Sequence, residues 1–189
     1  LVGAYGDALT SVAHRRAAAA GYDDEQRTAL RRLGEAINYN AYGDDERDVC
    51  IAPAKLYHVM AQHADPFAMI AREEALVDEL DARRRTDLRH ALAVRPTLHT
   101  EHARLIVLPE EPWSRRVIGC LANELAAQQP RQAQAVLKRS SRGDFVVSVR
   151  APLCADCSSV SARVSSLRAL RASLRPALSS ASGTSKTWL

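Results

Sequence analysis

Several features that define common protein classes are missing from this 189-residue chain. No uninterrupted apolar stretch reaches the about 18 residues that a membrane-spanning helix requires, so the sequence predicts no transmembrane segment. No charged-then-apolar segment opens the chain, so we expect no secretory signal and a cytoplasmic location. The G-x-x-x-x-G-K-[ST] phosphate loop and the G-x-S-x-G serine motif are also absent. These absences argue against membrane proteins, P-loop proteins and serine hydrolases of that type.

The residue types that bind metal ions are present but lack the usual spacing. Of the four cysteines, only Cys154 and Cys157 form a C-x-x-C pair, and no second pair or matching histidines accompany it. We therefore expect reduced thiols without a metal. The sequence HTEH at residues 99–102 lacks the spacing of HExxH and is read as a solvated linker. The acidic residues 44–46 lack the glycine and the distal glutamate of an EF-hand loop.

Charge is unevenly distributed along the chain. The formal net charge is +4, but residues 157–189 contain five basic residues and no Asp or Glu, so residues 1–156 carry a net charge of −1. The body is nearly neutral, and the basic balance does not indicate a broad nucleic-acid-binding surface. Ten of the thirty-three residues in the last segment are serine. We expect either a native basic tail or sequence translated out of frame, and in both cases a segment that does not complete the preceding domain.

The first half of the chain has the periodicity of α-helices. Helices are predicted over residues 1–20, after Asp23, from Pro53 onward, and over residues 66–95 as one long or broken helix. Gly21 is placed to end the first helix, and Asp23 to cap the second. The charged helix over residues 66–95 is typical of a connection between domains, and Pro96 stops it.

The second half changes to an α/β pattern. Buried strands are predicted over residues 103–108, 133–137 and 145–149, and an amphipathic helix over residues 113–129. Residues 141–144 have the composition of a hairpin turn. The order strand, helix, strand, strand is an α/β unit.

One arginine at the end of a predicted strand is a candidate binding residue. Arg150 follows Ser148 by two residues, so both side chains lie on the same face of the strand. An arginine beside a hydroxyl can hold a phosphate through charge-assisted hydrogen bonds. The alternative is an edge-strand arginine that is solvated by water.

Four segments in collinear order resemble DHH-family phosphoesterases. They are AYGD at residues 4–7, LGEAINYNAYG at residues 33–43, LPEEPWSRRVIGCLANELA at residues 108–126 and FVVSVRAP at residues 145–152. The resemblance covers residues 1–152 and implies the C-terminal part of the catalytic domain followed by the DHH-associated substrate domain. The expected class is α/β, with a helical remnant and connecting helix over residues 1–95, an incomplete substrate domain over residues 96–156, and a basic Ser-rich, irregular tail over residues 157–189.

The resemblance implies a metal-dependent hydrolase. Members of this family cleave phosphodiester or phosphomonoester bonds in nucleotides and oligonucleotides, using two divalent metals, usually manganese. Asp7 matches the last acidic motif and would be a metal ligand, while Ser148 and Arg150 match the strand that holds the substrate. The implied partner is a nucleotide or a single-stranded oligonucleotide.

The chain departs from the family pattern at the residues that carry the chemistry. No D-x-D or Asp-His-His string occurs in the 189 residues, and no glycine-rich loop follows Pro152. Asp7 alone cannot hold two metals, so we expect a catalytically incomplete portion of the enzyme that has no catalytic residues of its own and does not retain manganese. The initial Leu1 suggests an excised piece. Two alternatives stay open: a non-catalytic nucleic-acid-binding module, and a fragment with no function of its own.

Overall fold

The structure is a computed structural model that describes residues 1–140 and 143–150. The described part is mixed α/β, with seven helices and one four-stranded mixed sheet. The helices are α1 (Val2–Gly6), α2 (Thr10–Ala19), α3 (Asp24–Tyr39), α4 (Pro53–Ala61), α5 (Pro66–Arg72), α6 (Glu74–Leu92) and α7 (Ser114–Gln128). The strands are β1 (Leu98–His99), β2 (Ala103–Val107), β3 (Ala133–Arg139) and β4 (Phe145–Arg150).

The chain divides into two compact units. Unit 1 comprises Leu1–Ala93 and Glu110–Cys120, and unit 2 comprises Val94–Pro109 and the described residues from Leu121 onward. The expected boundary at residue 95 lies close to the end of the first segment, whereas residues 110–120 group with the helices of unit 1. Helix α7 contributes to both units. The structure does not describe Cys154, Cys157, residues 141 and 142 of the expected turn, or the expected tail.

The first predicted helix is broken into α1 and α2. The break lies at Ala8, whose φ of 59° is in the left-handed region. The amides of Ala8 and Leu9 donate to the carbonyl oxygens of Tyr5 and Ala4, which is the Schellman arrangement that ends a helix. The expectation of one helix over residues 1–20 was wrong because alanine carries no signal for this conformation. Gly21, with a φ of 78°, ends α2 in the same way, as predicted.

Helices α1 and α3 pack closely in unit 1 because each has a glycine at their crossing. A Cβ atom added at Gly34 would overlap the Val2 carbonyl oxygen, and one added at Gly6 would lie 2.8 Å from the Gly34 carbonyl oxygen. The start of α3 carries the predicted Asp23 cap. The Gln26 amide donates to Asp23 Oδ1 at 2.8 Å, and the Asp23 amide donates to Gln26 Oε1 at 3.0 Å.

A buried polar network fixes the beginning of α7 within unit 1. The Tyr39 hydroxyl donates to Asp87 Oδ2 at 2.6 Å, and Arg116 Nε donates to the same oxygen at 2.8 Å. Arg116 also donates to the Asp48 carbonyl oxygen, and Arg115 to the Asp48 carboxylate, at 3.2 and 2.9 Å. We call Tyr39, Asp87 and Arg116 the Asp87 network. Burial, followed by the hydrogen bond to Asp87, raises the pKa of Tyr39, so the phenol stays protonated.

Unit 2 is built on the sheet, with strand order β1-β2-β3-β4. Strands β2 and β3 are parallel and joined through α7, while β1 and β4 pair antiparallel with their neighbours. Leu105, Ala135 and Leu137 are buried in its core. Strand β1 was not predicted. His99, expected in a solvated linker, pairs instead with Arg104 because the chain turns back at Thr100, whose amide donates to the Ala103 carbonyl oxygen at 2.8 Å.

The remaining predicted elements appear at their expected places. Pro53 begins α4, the segment over residues 66–95 is broken at Glu73 into α5 and α6, and α7, β2, β3 and β4 lie on the segments predicted for them. Within the described ranges, no helix is both long enough and apolar enough to cross a membrane.

Candidate anion-binding site

Arg150 is held in a defined orientation at the end of β4. Its Nε donates to Asn123 Oδ1 on α7 at 2.8 Å, and one terminal nitrogen donates to Ser148 Oγ and to the Val149 carbonyl oxygen, both at 3.1 Å. The second terminal nitrogen makes no hydrogen bond with any described residue. The predicted pair Ser148 and Arg150 is therefore brought together on one face of the strand. The residue is half-buried, and its second terminal nitrogen is a donor that the described residues leave unused.

The sheet register places two further polar residues in line with Arg150. Arg104 on β2 lies opposite Gln134 on β3, and Gln134 lies opposite Arg150 on β4. Directly paired residues project from the same face of a sheet, so the three side chains form a row across unit 2. We call Arg104, Gln134 and Arg150 the arginine row. Its ends are positively charged, and its centre is a buried amide.

The arginine row contains polar atoms that are buried and unsatisfied. Among the described residues, Arg104 Nε and Gln134 Oε1 have no hydrogen-bond partner, although Gln134 Nε2 donates to Gln132 Oε1 at 3.0 Å. An unsatisfied buried polar group costs about 1–3 kcal/mol, so each one calls for a partner. Arg104 Nε and the second terminal nitrogen of Arg150 are donors without a partner among the described residues, and these two donors make the row a candidate for binding an anion, whereas Gln134 Oε1 is an acceptor and does not contribute to it.

The sequence did not predict Arg104 and Gln134 as site residues, because only the alignment of neighbouring strands brings them next to Arg150. Each lies in a predicted strand, but the alternation of side chains gives only the face of its own strand. Which residues stand opposite each other depends on how β2, β3 and β4 align. That alignment is set by α7 and by the β3–β4 turn. The pair Ser148 and Arg150 needed only the two-residue period of one strand.

Asp7, the expected metal ligand, lies in unit 1 at the end of α1. The residue is exposed, and its amide donates to the Gly3 carbonyl oxygen at 2.9 Å. In the part of the chain that the structure describes, no group of three or more His, Cys, Asp or Glu side chains is placed to hold a metal ion. A two-metal centre requires several ligands for each ion. The described residues therefore do not fit such a centre.

Unit 1 also contains a cavity of about 410 Å³ with a different character. Its lining is mainly apolar, and its side chains with polar atoms are Tyr22, His63 and Asp65. Asp65 accepts a hydrogen bond from the Ala68 amide at 2.9 Å and so caps α5, while His63 Nε2 lies 3.4 Å from Glu73 Oε1. His63 Nε2 is buried and has no hydrogen-bond partner among the described residues. The cavity lining contains no arginine or lysine, so the arginine row is the better candidate for binding an anion.

Comparisons of this chain with protein-family models, with curated proteins and with solved structures found no match.

Proposed function

We propose that this chain is the nucleotide-holding portion of a DHH-family phosphoesterase, a metal-dependent hydrolase of nucleotide or oligonucleotide phosphoesters. We further propose that the 189 residues alone do not catalyse the reaction. The observation that carries the proposal is the guanidinium of Arg150, which Asn123 and Ser148 orient at the end of β4. This is the strand that the resemblance assigns to substrate binding.

The chemistry of the arginine row suits a phosphate. A guanidinium offers N–H donors in a planar fork that matches two phosphate oxygens, and each charge-assisted hydrogen bond contributes about 1.5–3 kcal/mol. Because Arg150 already donates to Asn123 and Ser148, it loses less rotamer freedom when a ligand binds. Arg104 adds a second positive charge in the same row.

Hydrolysis needs groups beyond the arginine row. In this family two divalent metals, usually manganese, activate the attacking water and neutralise the leaving oxygen. Asp7 is the residue that the resemblance assigns to the metals, and no other ligand from the family motifs occurs in the 189 residues. The function proposed for this chain is therefore to bind the nucleotide, and no catalytic step is assigned to its residues.

The test is binding of a short 5′-phosphorylated single-stranded oligodeoxynucleotide, measured by calorimetry. Arg150→Ala should weaken the affinity about tenfold or more through loss of a charge-assisted contact. Arg131→Ala is the matched control because it removes the same charge from an exposed position of unit 2. If Arg150→Ala leaves the affinity unchanged, or if Arg131→Ala lowers the affinity equally, Arg150 is a solvated residue of an edge strand and does not bind the phosphate.

A non-catalytic nucleic-acid-binding module is the second candidate function. It is favoured by the arginine row itself, which presents positive charge without a metal-binding group among the described residues. The DNA immediately upstream of the coding segment separates the two candidates. Encoded D-x-D and Asp-His-His motifs would support the phosphoesterase, and their absence there would support the binding module.

A further inference from the structure

The outer edge of β4 presents outward backbone N–H and C=O groups and exposed valines, as a strand that pairs with another strand does. We propose that β4 pairs antiparallel with β4 of a second copy of this chain, so that two sheets join across a two-fold axis. The proposal does not require phosphoester chemistry, although it gives Arg150 a partner in the second copy besides the phosphate, and its test therefore uses variants at other residues. It rests on the direction of the backbone groups, on the exposed valines and on a self-complementary register.

The turn before β4 determines which backbone groups face outward. The Ser140 amide donates to the Asp144 carbonyl oxygen at 2.7 Å, so these two residues form a hydrogen-bonded pair. Hydrogen-bonded pairs alternate along an antiparallel ladder, and therefore Val146, Ser148 and Arg150 direct their backbone groups toward β3. The N–H and C=O groups of the odd-numbered residues from Phe145 to Val149 then point away from β3. No strand of the described sheet lies beyond this edge.

The side chains at this edge are unusually apolar for an exposed strand. Val146, Val147 and Val149 are 40, 46 and 39% exposed. Natural edge strands are commonly protected from further pairing by charged side chains, by proline or by a bulge. From Phe145 to Val149, β4 contains no charged residue and no proline, and its six residues pair with β3 without interruption. The one charge in the strand is Arg150 at its end, which donates to the Val149 carbonyl oxygen at 3.1 Å and leaves the rest of the edge uncovered within the described residues. Such an edge is a template for another strand.

One antiparallel register makes two copies of β4 complementary. If Val147 lies opposite Val147 of the second copy, then Phe145 lies opposite Val149, and Asp144 lies opposite Arg150. The pairs formed by odd-numbered residues are hydrogen-bonded pairs, which gives about six new backbone hydrogen bonds. The same pairs stack apolar side chains on one face, and each aspartate meets an arginine of the other copy on the opposite face. This charge complementarity favours a second copy over an unrelated strand.

The experiment is sedimentation velocity of the full chain over a range of concentrations. The wild-type chain should form a dimer and no larger species, since two-fold pairing occupies the β4 edge of both copies and leaves no β4 edge for a third copy. Val147→Lys places two ammonium groups opposite each other at the axis and should raise the dimer dissociation constant at least about tenfold. Tyr57→Lys is the matched control because Tyr57 is 68% exposed on α4, a helix of unit 1 and not part of the sheet, and it should leave the dimer unchanged.

A second variant keeps the proposal testable if Val147→Lys does not fold, as judged by circular dichroism. Asp144→Arg changes an exposed residue of the turn and places like charges opposite each other in the proposed register, so it should also weaken the dimer. A monomeric wild type, a dimer that resists both substitutions, or unlimited growth into larger species would each overturn the proposal. A monomer whose Val147 amide resists hydrogen exchange would overturn it in favour of an edge covered by the chain itself.

Discussion

The Asp87 network illustrates how single buried residues fix a helix in unit 1. The side chains of Arg116 and Asp87 are only 17 and 8% exposed. Arg116 Nε donates to the Tyr39 hydroxyl oxygen at 2.9 Å, and this hydroxyl donates to Asp87 Oδ2 at 2.6 Å. Removing one partner from a buried ion pair leaves the other charge uncompensated. The network should therefore be more sensitive to loss of the carboxylate than to loss of the phenol.

We predict that Asp87→Ala lowers the free energy of unfolding by about 3–5 kcal/mol, because Arg116 is left buried without its counter-ion. Tyr39→Phe should cost less, about 1.5–3 kcal/mol, since it removes only a hydrogen bond to a charged group. Urea denaturation of the two variants and the wild type measures both values. If both substitutions lower the free energy of unfolding equally, the charge of Asp87 is not the main contribution of the network to stability.

Asp81 links the stability of unit 1 to pH. Burial alone would raise the pKa of Asp81, but hydrogen bonds from Arg84 and Arg32 outweigh burial, and the net effect is a lowered pKa. A carboxyl whose pKa is lower in the folded state stabilises that state above its unfolded pKa of about 3.9. This contribution is lost as the pH falls through the lower, folded value.

Accordingly, Asp81→Asn should be destabilising at neutral pH by about 3–5 kcal/mol, because Arg32 and Arg84 lose a buried counter-ion. The difference from the wild type should begin to shrink as the pH falls below about 4, where Asp81 of the unfolded chain becomes protonated, and should close as the pH falls through the lower pKa of the folded state. Thermal unfolding from pH 7 down to acid measures the difference. A gap between variant and wild type that stays constant with pH would show that the charge of Asp81 does not contribute.

At the scale of elements, glycine determines how closely α1 approaches α3. A side chain at Gly34 would meet backbone atoms of α1, including the Gly6 nitrogen at 2.9 Å, and backbone atoms cannot move aside as a flexible side chain can. Gly3, on the same short helix α1, has nothing within 4 Å of the position that a Cβ would occupy. The two glycines therefore form a matched pair of positions.

Gly34→Ala should destabilise the chain by about 1–3 kcal/mol, despite the better helix propensity of alanine, because the helices must separate. Gly3→Ala should be neutral or stabilising by up to about 1 kcal/mol, since it gains helix propensity without a clash. Denaturant titration of both variants checks the pair. Similar free energies of unfolding for Gly34→Ala and Gly3→Ala would mean that α1 and α3 can move apart at little cost.

Elements with strong local signals were predictable, and those set by longer-range contacts were not. The Asp23 cap, the proline at the start of α4 and the apolar strands β2 and β3 are encoded within a few residues. Strand β1 has only two residues, so its conformation follows from pairing with β2 rather than from its own composition. The break at Ala8 likewise depends on packing, because alanine does not favour a positive φ.

For the candidate site, the sequence predicted the residues that lie on one strand but not those that neighbouring strands of the sheet contribute. Ser148 and Arg150 share a face by the two-residue period, whereas Arg104 and Gln134 join them only through strand alignment. Asn123 orients Arg150 from α7, a contact that no local pattern encodes. The parts of a site that come from different elements become visible only when the fold brings them together.

At the scale of the whole molecule, the purified chain is expected to hydrolyse no phosphoester, with or without manganese. The family's reaction needs two metals with several ligands each, whereas the motifs that supply them are absent from the 189 residues and Asp7 is the one matching carboxylate. Short oligonucleotides and an aryl phosphodiester are suitable substrates for the assay. The relevant controls are Asp7→Ala and Glu46→Ala, the latter removing an exposed carboxylate outside the matched acidic motif. Turnover that accompanies the protein through purification, disappears in Asp7→Ala and persists in Glu46→Ala would show that the chain assembles a metal centre after all. Absence of turnover together with oligonucleotide binding that depends on Arg150 is the combination expected of a substrate-holding portion, because binding and catalysis use different residues.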